Sequence, residues 1–265
     1  SNGGGLQHIK LAGYDILVVK GCADRPVYIK ITNDRVEICD ARHLWGKDTF
    51  ETPDILWPEI GKQYQIATIG PAGENLVRHA AIIGDKYISW GRTGLGAVMG
   101  SKKLKAIAVF GDVGVKVAQQ PKLMRLALTS AREITGDTES MEVWRTGGTW
   151  KWSMAYREKL DRPRAMSEVF DLDKYDEKLD HRPIACMGCP VGCKHTITVK
   201  EGQRHSGLNF VIGCTSGTMC GPFGSGLGIV PIDEVAKCAE EVQRLGMDSS
   251  VTAGLISYSI ELYEA

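Results

Sequence analysis

Hydrophobic and polar positions divide the chain into a strand-rich first part and a helix-rich second part. Short β-branched runs separated by turn residues predict strands over 16–19, 27–31, 36–38, 65–69 and 106–110. The second and third of these runs are close enough in sequence to form a hairpin. From Pro121 onward, apolar residues recur at helical spacing and predict helices over Lys122–Thr135 and Asp233–Leu245.

This pattern favours an α+β fold with a boundary near residue 117. We expect a sheet-rich domain over 1–117 and a mainly helical domain over 118–265. A short helix is predicted between Trp45 and Gly61, with Thr52 as its N-cap and Pro53 as its first residue. Residues 136–153 are predicted to be loop or short helix, and Ser249 to cap a last helix.

Composition argues against several classes of protein. Lys plus Arg and Asp plus Glu both number 32, so the chain lacks the basic excess of a nucleic-acid-binding protein. It has no apolar run long enough for a membrane span and no visible signal peptide. Five of its eight cysteines are scattered, which argues against a secreted disulfide framework and favours a cytoplasmic location.

The strongest chemical signal is the run Cys186-Met-Gly-Cys189-Pro-Val-Gly-Cys193. It brings three thiols into one short loop, and soft thiolate ligands suit an iron–sulfur cluster or zinc. A [4Fe–4S] cluster needs a fourth ligand from elsewhere in the protein. The alternatives are a zinc site completed by His195 and three unrelated buried cysteines.

The second signal is the glycine-rich stretch from Gly91 to Lys105. Closely spaced glycines let backbone N–H groups approach an anion, and Arg92 supplies a guanidinium suited to phosphate. The stretch matches neither the dinucleotide-binding order of glycines nor a P-loop. It therefore predicts a phosphate or pyrophosphate cradle of another kind, the alternative being glycines that only turn the chain beneath a sheet.

Four motifs in order resemble the aldehyde ferredoxin oxidoreductase family: 41–47, 70–75, 91–109 and 186–193. The resemblance implies a sheet-rich pterin-binding domain, a helical domain with a cluster loop, and a tungsten (or molybdenum) bis-pterin cofactor beside a [4Fe–4S] cluster. Family chains are considerably longer. Since this chain lacks an initial methionine and stops inside a predicted helix, we expect an internal fragment of a longer protein.

The resemblance also implies roles for individual residues. Cysteines 186, 189 and 193 correspond to the first three cluster ligands, and the fourth would lie beyond Ala265. The other implied positions meet the pterins or a Mg²⁺ ion that bridges their phosphates. The Mg²⁺ site and its loop involve Asn2, Gly4 and the backbone carbonyl of Ser89. The pterin phosphates are lined by Gly91, Arg92, Gly94 and Gly96, and a pterin is bound by Asp248. Asp248 could instead be a simple helix-start residue.

One departure from the family pattern concerns the substrate pocket. Aldehyde oxidases of the family carry a glutamate-rich run after the cluster loop, whereas this chain reads Gly207-Leu-Asn-Phe-Val211. Nearby stand Glu201 and His205, the candidate catalytic residues, with His205 as a proton donor. Cys214 is a candidate thiolate ligand to tungsten or, alternatively, a buried thiol. This departure, with Ile88 in place of a common arginine, points toward divergent members such as the tungsten subunit of ATP-independent benzoyl-CoA reductase.

The expected function is two-electron oxidation of an aldehyde to a carboxylic acid, coupled to reduction of ferredoxin or another iron–sulfur carrier under anaerobic conditions. The alternative within the family is reduction of an aromatic acyl-CoA. The alternative of another class is a non-catalytic module that binds zinc or a cluster. We expect a homodimer or hetero-oligomer, with neither nucleic acid nor a membrane span.

Overall fold

The computed structural model describes residues 6–90, 93–147, 172–213 and 216–264. The chain divides into two compact units. The first consists of Ser1–Lys116 together with Val242–Asp248, and the second of Val117–Glu241 together with Ser249–Ala265. No sequence pattern indicated that the short segment Val242–Asp248 belongs with the first unit.

The first unit is built on a six-stranded mixed sheet. Its strands are β1 (Val27–Ile31), β2 (Val36–Asp40), β3 (Gln65–Thr68), β4 (Ile82–Gly84), β5 (Ile88–Trp90) and β6 (Leu104–Val109). Their order is β2-β1-β6-β3-β4-β5, with β1 and β6 parallel and all other neighbours antiparallel. The predicted hairpin is confirmed, with Val27 opposite Asp40 and Ile31 opposite Val36.

Two apolar clusters cover the two faces of this sheet. Ile29 and Ile31 of β1 pack in one cluster, while Tyr28 packs in the other, as the period-two alternation of a strand requires. All six residues of β6 are buried. A central strand covered on both faces has this continuous burial.

Short helices flank the sheet: α1 (His8–Leu11), α2 (Glu51–Ile60), α3 (Pro71–Glu74) and α4 (Leu95–Ser101). The strand predicted over 16–19 is wrong, because these residues form no strand. The segment nevertheless has the alternating burial of a strand. Leu17 and Val19 pack against the core, whereas Ile16 and Val18 are exposed.

The predicted start of α2 is also wrong. The helix begins at Glu51, so Thr52 and Pro53 lie inside it. The cap is Asp48, whose carboxylate accepts the N–H groups of Phe50 and Glu51, both at 2.7 Å. The Glu51 carboxylate in turn accepts the Asp48 N–H at 2.9 Å. This reciprocal pair has the logic of a capping box.

The second unit combines helices with a three-stranded antiparallel sheet, so it is less purely helical than the sequence predicted. The sheet consists of β7 (Leu179–Ile184), β8 (Lys194–Val199) and β9 (Asn209–Gly213) in that order. The helices α5 (Gln120–Gly136), α6 (Thr138–Gly147) and α7 (Leu172–Lys178) precede it. After it come a π-helical segment (Ser216–Ser225), α8 (Ile232–Leu245), whose last four residues belong to the first unit, and α9 (Ser249–Glu264).

Candidate functional site

The three-cysteine loop is the connection between β7 and β8 in the second unit. The N–H of Cys189 donates to the carbonyl of Cys186 at 3.0 Å, so the loop begins with a tight turn. Gly188 and Gly192 adopt positive φ angles of 73° and 70°, which side-chain-bearing residues rarely do. All three cysteines are half-buried, and within the described residues no cysteine forms a disulfide.

Helix α6 contacts this loop through Arg145. Its guanidinium donates to the carbonyls of Pro190 and Val191, each at 3.4 Å. The Arg145 carbonyl in turn accepts a hydrogen bond of 2.6 Å from Nε2 of His195, which is fully buried. Burial lowers the pKa of His195 despite this bond. Nε2 therefore donates to a carbonyl, so a metal ion would have to bind His195 through Nδ1.

The type of ligand in the loop fits an iron–sulfur cluster. Such clusters are held by cysteine thiolates. The loop supplies three thiols, and its glycines allow the turns between them. In the portion of the chain that the structure describes, no three or more His, Cys, Asp or Glu side chains are gathered as a metal site. The remaining predicted positions Asn2, Gly4, Gly91, Arg92 and Cys214 lie outside the described residues.

The candidate catalytic residues Glu201 and His205 lie in the hairpin loop between β8 and β9. This loop is at the opposite end of β8 from the cysteines, and six strand residues span about 17 Å. Glu201 is exposed. His205 Nε2 lies 2.9 Å from the carboxylate of Glu234, which also accepts a bond from Arg204 at 2.7 Å. The His205 bond, together with Arg204, lowers the pKa of Glu234.

The glycine-rich stretch belongs to the first unit, where its described glycines make close backbone contacts. Gly94 immediately precedes α4 with φ 75°. A Cβ at Gly96 would lie 2.7 Å from the carbonyl oxygen of Ala81. The N–H of Gly96 donates to the carbonyl of Ala80 at 3.0 Å, so this amide is already used within the protein. Close packing alone therefore accounts for glycine at position 96.

Asp248 joins the same part of the first unit. Its N–H donates to the carbonyl of His79 at 3.1 Å, and the neighbouring Met247 forms a β-bridge with Ala80. Residues 78–81 therefore contact both the glycine-rich stretch and the turn that carries Asp248. Two candidate pterin-binding segments that are far apart in sequence come together here. Asp248 also directly precedes α9, so the helix-start interpretation stays open.

Ser89 lies in the middle of β5, opposite Ile83 of β4. Since β5 is an edge strand of the sheet, some of its backbone groups point away from its neighbour. A backbone carbonyl at such an edge is a reasonable ligand for a hard cation such as Mg²⁺.

Sequence reasoning missed one pair of residues that links these motifs. Lys105 of β6 is fully buried, and its Nζ lies 2.5 Å from the carboxylate of Glu74 and 2.6 Å from the carbonyl of Lys47. The N–H of Gly46 donates to both Glu74 oxygens, at 3.0 and 2.8 Å. Burial lowers the pKa of Lys105, and Glu74 opposes this shift. The sequence did contain one signal of this pair, because Lys105 is the only polar residue in the otherwise apolar strand β6.

Family comparisons cover nearly the whole chain. Residues 1–111 match the model of the aldehyde ferredoxin oxidoreductase N-terminal domain. Residues 118–265 match the model of domains 2 and 3 of the same family. In the described part of the chain, no helix is long and apolar enough to cross a membrane.

Curated relatives and a solved structure agree with these matches. The chain is 34% identical to the tungsten-containing aldehyde ferredoxin oxidoreductase of Thermococcus kodakarensis, over 100% of its own length and 44% of that protein. It is 28% identical to the WOR-like subunit of an aliphatic sulfonate oxidoreductase from Pyrococcus furiosus, over 97% and 44%.

The active-site complex BamBC of benzoyl coenzyme A reductase, solved with 1,5-dienoyl-CoA, matches with TM-score 0.78 at 28% identity. That match covers 99% of this chain and 42% of that one. The chain thus spans less than half the length of the proteins it matches.

Proposed function

Because the chain belongs to the aldehyde ferredoxin oxidoreductase family, we propose that it is part of a tungsten bis-pterin oxidoreductase with a [4Fe–4S] cluster. The observation that carries the proposal is the three-cysteine loop between β7 and β8. It occurs in a chain that is 34% identical, over its whole length, to a tungsten-containing aldehyde ferredoxin oxidoreductase.

The proposed reaction is oxidation of an aldehyde to a carboxylic acid, with the electrons passed to ferredoxin or a similar carrier. The tungsten bis-pterin would supply two-electron chemistry, and the cluster would transfer electrons singly. Cysteines 186, 189 and 193 would hold the cluster. Gly91, Arg92 and the backbone near Gly94 would bind pterin phosphates, with Asn2, Gly4 and Ser89 at the bridging Mg²⁺ and Asp248 on a pterin.

Gly96 contributes to this proposal through its packing rather than through its amide. Its N–H is bound to Ala80, and its missing Cβ lets α4 approach residues 80–81. The glycine therefore sets the position of the backbone just before it. That backbone would meet the phosphates.

Proton handling is assigned to His205 and Glu201, with Cys214 as a candidate tungsten ligand. What supports His205 is its hydrogen bond to Glu234, which fixes the orientation of the imidazole. A histidine held in place by a carboxylate is a suitable general acid or base. Its distance along β8 from the cysteine loop means that it would act on substrate and not beside the cluster.

A second candidate function is reduction of an aromatic acyl-CoA. Its support is the match to the benzoyl coenzyme A reductase complex, together with the lack of carboxylates over 207–211. For either reaction we propose an anaerobic cytoplasmic enzyme that works as a homodimer or hetero-oligomer. A non-catalytic module that binds zinc or a cluster is the alternative of another class.

The test is elemental analysis of the full-length protein purified without oxygen, followed by activity assays. We expect about four iron atoms per chain, as a [4Fe–4S] cluster requires, together with tungsten. Aldehyde-dependent reduction of ferredoxin would support the first reaction, and reduction of an aromatic acyl-CoA thioester would support the second. Zinc alone, or no metal, would overturn both.

A further inference from the structure

We propose that the ion pair of Glu74 and Lys105 positions the glycine-rich stretch and thereby helps the protein to retain the pterin cofactor. This inference rests on the proposed function, since it concerns the same cofactor-binding unit. Neither residue would touch the cofactor. Both would act through the backbone of α3 and α4.

Both residues of the pair are buried, and their hydrogen bonds connect several segments of the first unit. The side chain of Lys105 is 0% exposed and that of Glu74 is 6% exposed. Glu74 accepts hydrogen bonds from Lys105 and from the Gly46 N–H, and Lys105 also donates to the Lys47 carbonyl. Three segments far apart in sequence (46–47, α3 and β6) therefore meet at one carboxylate.

The burial of this ion pair is not explained by a gain in folding stability. Removing two charges from water is costly, and replacing a buried ion pair by apolar residues of similar volume is often neutral or stabilising. Losing only one partner is strongly destabilising, because it leaves a buried charge uncompensated. Stability alone is therefore a weak reason for a buried Lys105–Glu74 pair. Its hydrogen bonds can instead specify where Glu74, the last residue of α3, must lie.

Glu74 is linked to the glycine-rich stretch through its neighbour Gly73. Gly73 packs directly against α4, since a Cβ at Gly73 would lie 3.0 Å from the Gly96 carbonyl oxygen. A Cβ at Gly100 would lie 2.7 Å from the Gly73 carbonyl carbon. Because backbone meets backbone at these glycines, a displacement of Glu74 passes to α4 and to Gly94 before it.

The experiment compares variants of the full-length holoenzyme. Glu74→Gln and Lys105→Met are each expected to lower stability, because each leaves the other group as an uncompensated buried charge. The double variant removes both charges and is expected to recover part of that loss. The double variant should nevertheless release pterin on the order of tenfold faster, by analogy with the tenfold or greater loss of affinity when a residue that supports a metal ligand is removed. Tungsten and pterin per folded chain, the release rate and the tungsten electron paramagnetic resonance spectrum are measured beside the unfolding midpoint.

Two controls sharpen the outcome. Lys86→Met removes the partner of Asp54 in an ion pair of 2.6 Å, also in the first unit but more exposed, and should leave pterin release unchanged. Lys105→Arg retains the charge and should retain more pterin than Lys105→Met. If the double variant does not fold, the pterin release rates of Glu74→Gln and Lys105→Arg are compared instead. Glu74→Gln removes a charge with little change of shape, whereas Lys105→Arg keeps the charge and changes the shape.

Three results overturn the proposal. One is a double variant that recovers stability and also retains pterin and the wild-type spectrum, which would make the pair purely structural. Another is a Lys86→Met variant that releases pterin equally fast. The third is a wild-type protein without tungsten or pterin, and only this result also removes the proposed function.

Discussion

Substituting Gly100 by alanine tests the contact on which the geometry of the first unit depends. The added Cβ would lie 2.7 Å from the Gly73 carbonyl carbon, whereas ordinary contacts begin at 3.4 Å. The obstructing group is main chain, so no side-chain rotation can relieve the clash. We therefore expect Gly100→Ala to destabilise the protein even though alanine is the better helix former.

The magnitude follows from two opposing effects. Overpacking of a tight interior costs about 1–3 kcal/mol, and a rigid backbone obstacle puts this site in the upper part of that range. Replacing glycine by alanine within a helix returns about 1 kcal/mol. The net expectation is a loss of about 1–2 kcal/mol, which for a chain of this size lowers the melting temperature by about 2–8 °C.

The matched control is Gly254→Ala in α9, where nothing lies within 4 Å of the added Cβ. There only helix propensity changes, and the expected gain is about 0.5–1 kcal/mol. Urea unfolding measures both variants, with amide hydrogen exchange of residues 95–101 as the local readout. Equal or greater stability for Gly100→Ala would refute the close contact between α3 and α4.

Three further predictions concern the cap, the cluster loop and the hairpin loop. Burial raises the pKa of Asp48, but hydrogen bonds from two backbone amides and a guanidinium outweigh it and hold the pKa below 3.8. Its stabilisation should therefore be present above about pH 4 and vanish as the pH falls further. Asp48→Asn should flatten this part of an unfolding profile measured from pH 6 to 2. Cys189→Ser should lose iron and the broad absorbance near 400 nm, whereas Cys238→Ser, in a helix away from the loop, should keep both. His205→Gln should lower kcat at unchanged iron and tungsten content; a loss of stability of up to about 1 kcal/mol with normal kcat would instead make it a structural residue.

Local patterns predicted those elements whose formation depends on neighbours in sequence. The β1–β2 hairpin and α8 carry their signals within a dozen residues, and both form as predicted. The segment 16–19 has the β-branched run of a strand but forms none, because a pairing partner is not a local property. The cap of α2 failed for a similar reason. Thr52-Pro53 matched a common signature, while Asp48 also binds Arg244, 196 residues away.

The sequence indicated candidate ligands of the site but not the contacts that support the site. The spacing of Cys186, Cys189 and Cys193 is local and identified the loop from sequence alone. The buried partnership of Lys105 with Glu74 depends on how β6 lies against α3, which no local pattern shows. Glycines at 94 and 96 were interpreted as an anion cradle or as turns beneath a sheet, because sequence does not show which backbone they approach.

The membership of Val242–Asp248 in the first unit has a consequence for biosynthesis. Thr49 binds Gln243 and Arg244 through hydrogen bonds of 2.7 and 3.0 Å, so these contacts join residues almost 200 positions apart. The first unit cannot close fully when its sheet has left the ribosome. At ordinary translation rates the wait for residue 248 is on the order of ten seconds. During that interval Thr49 and Gly70 lack the backbone of residues 243–245, which lies against them in the folded unit.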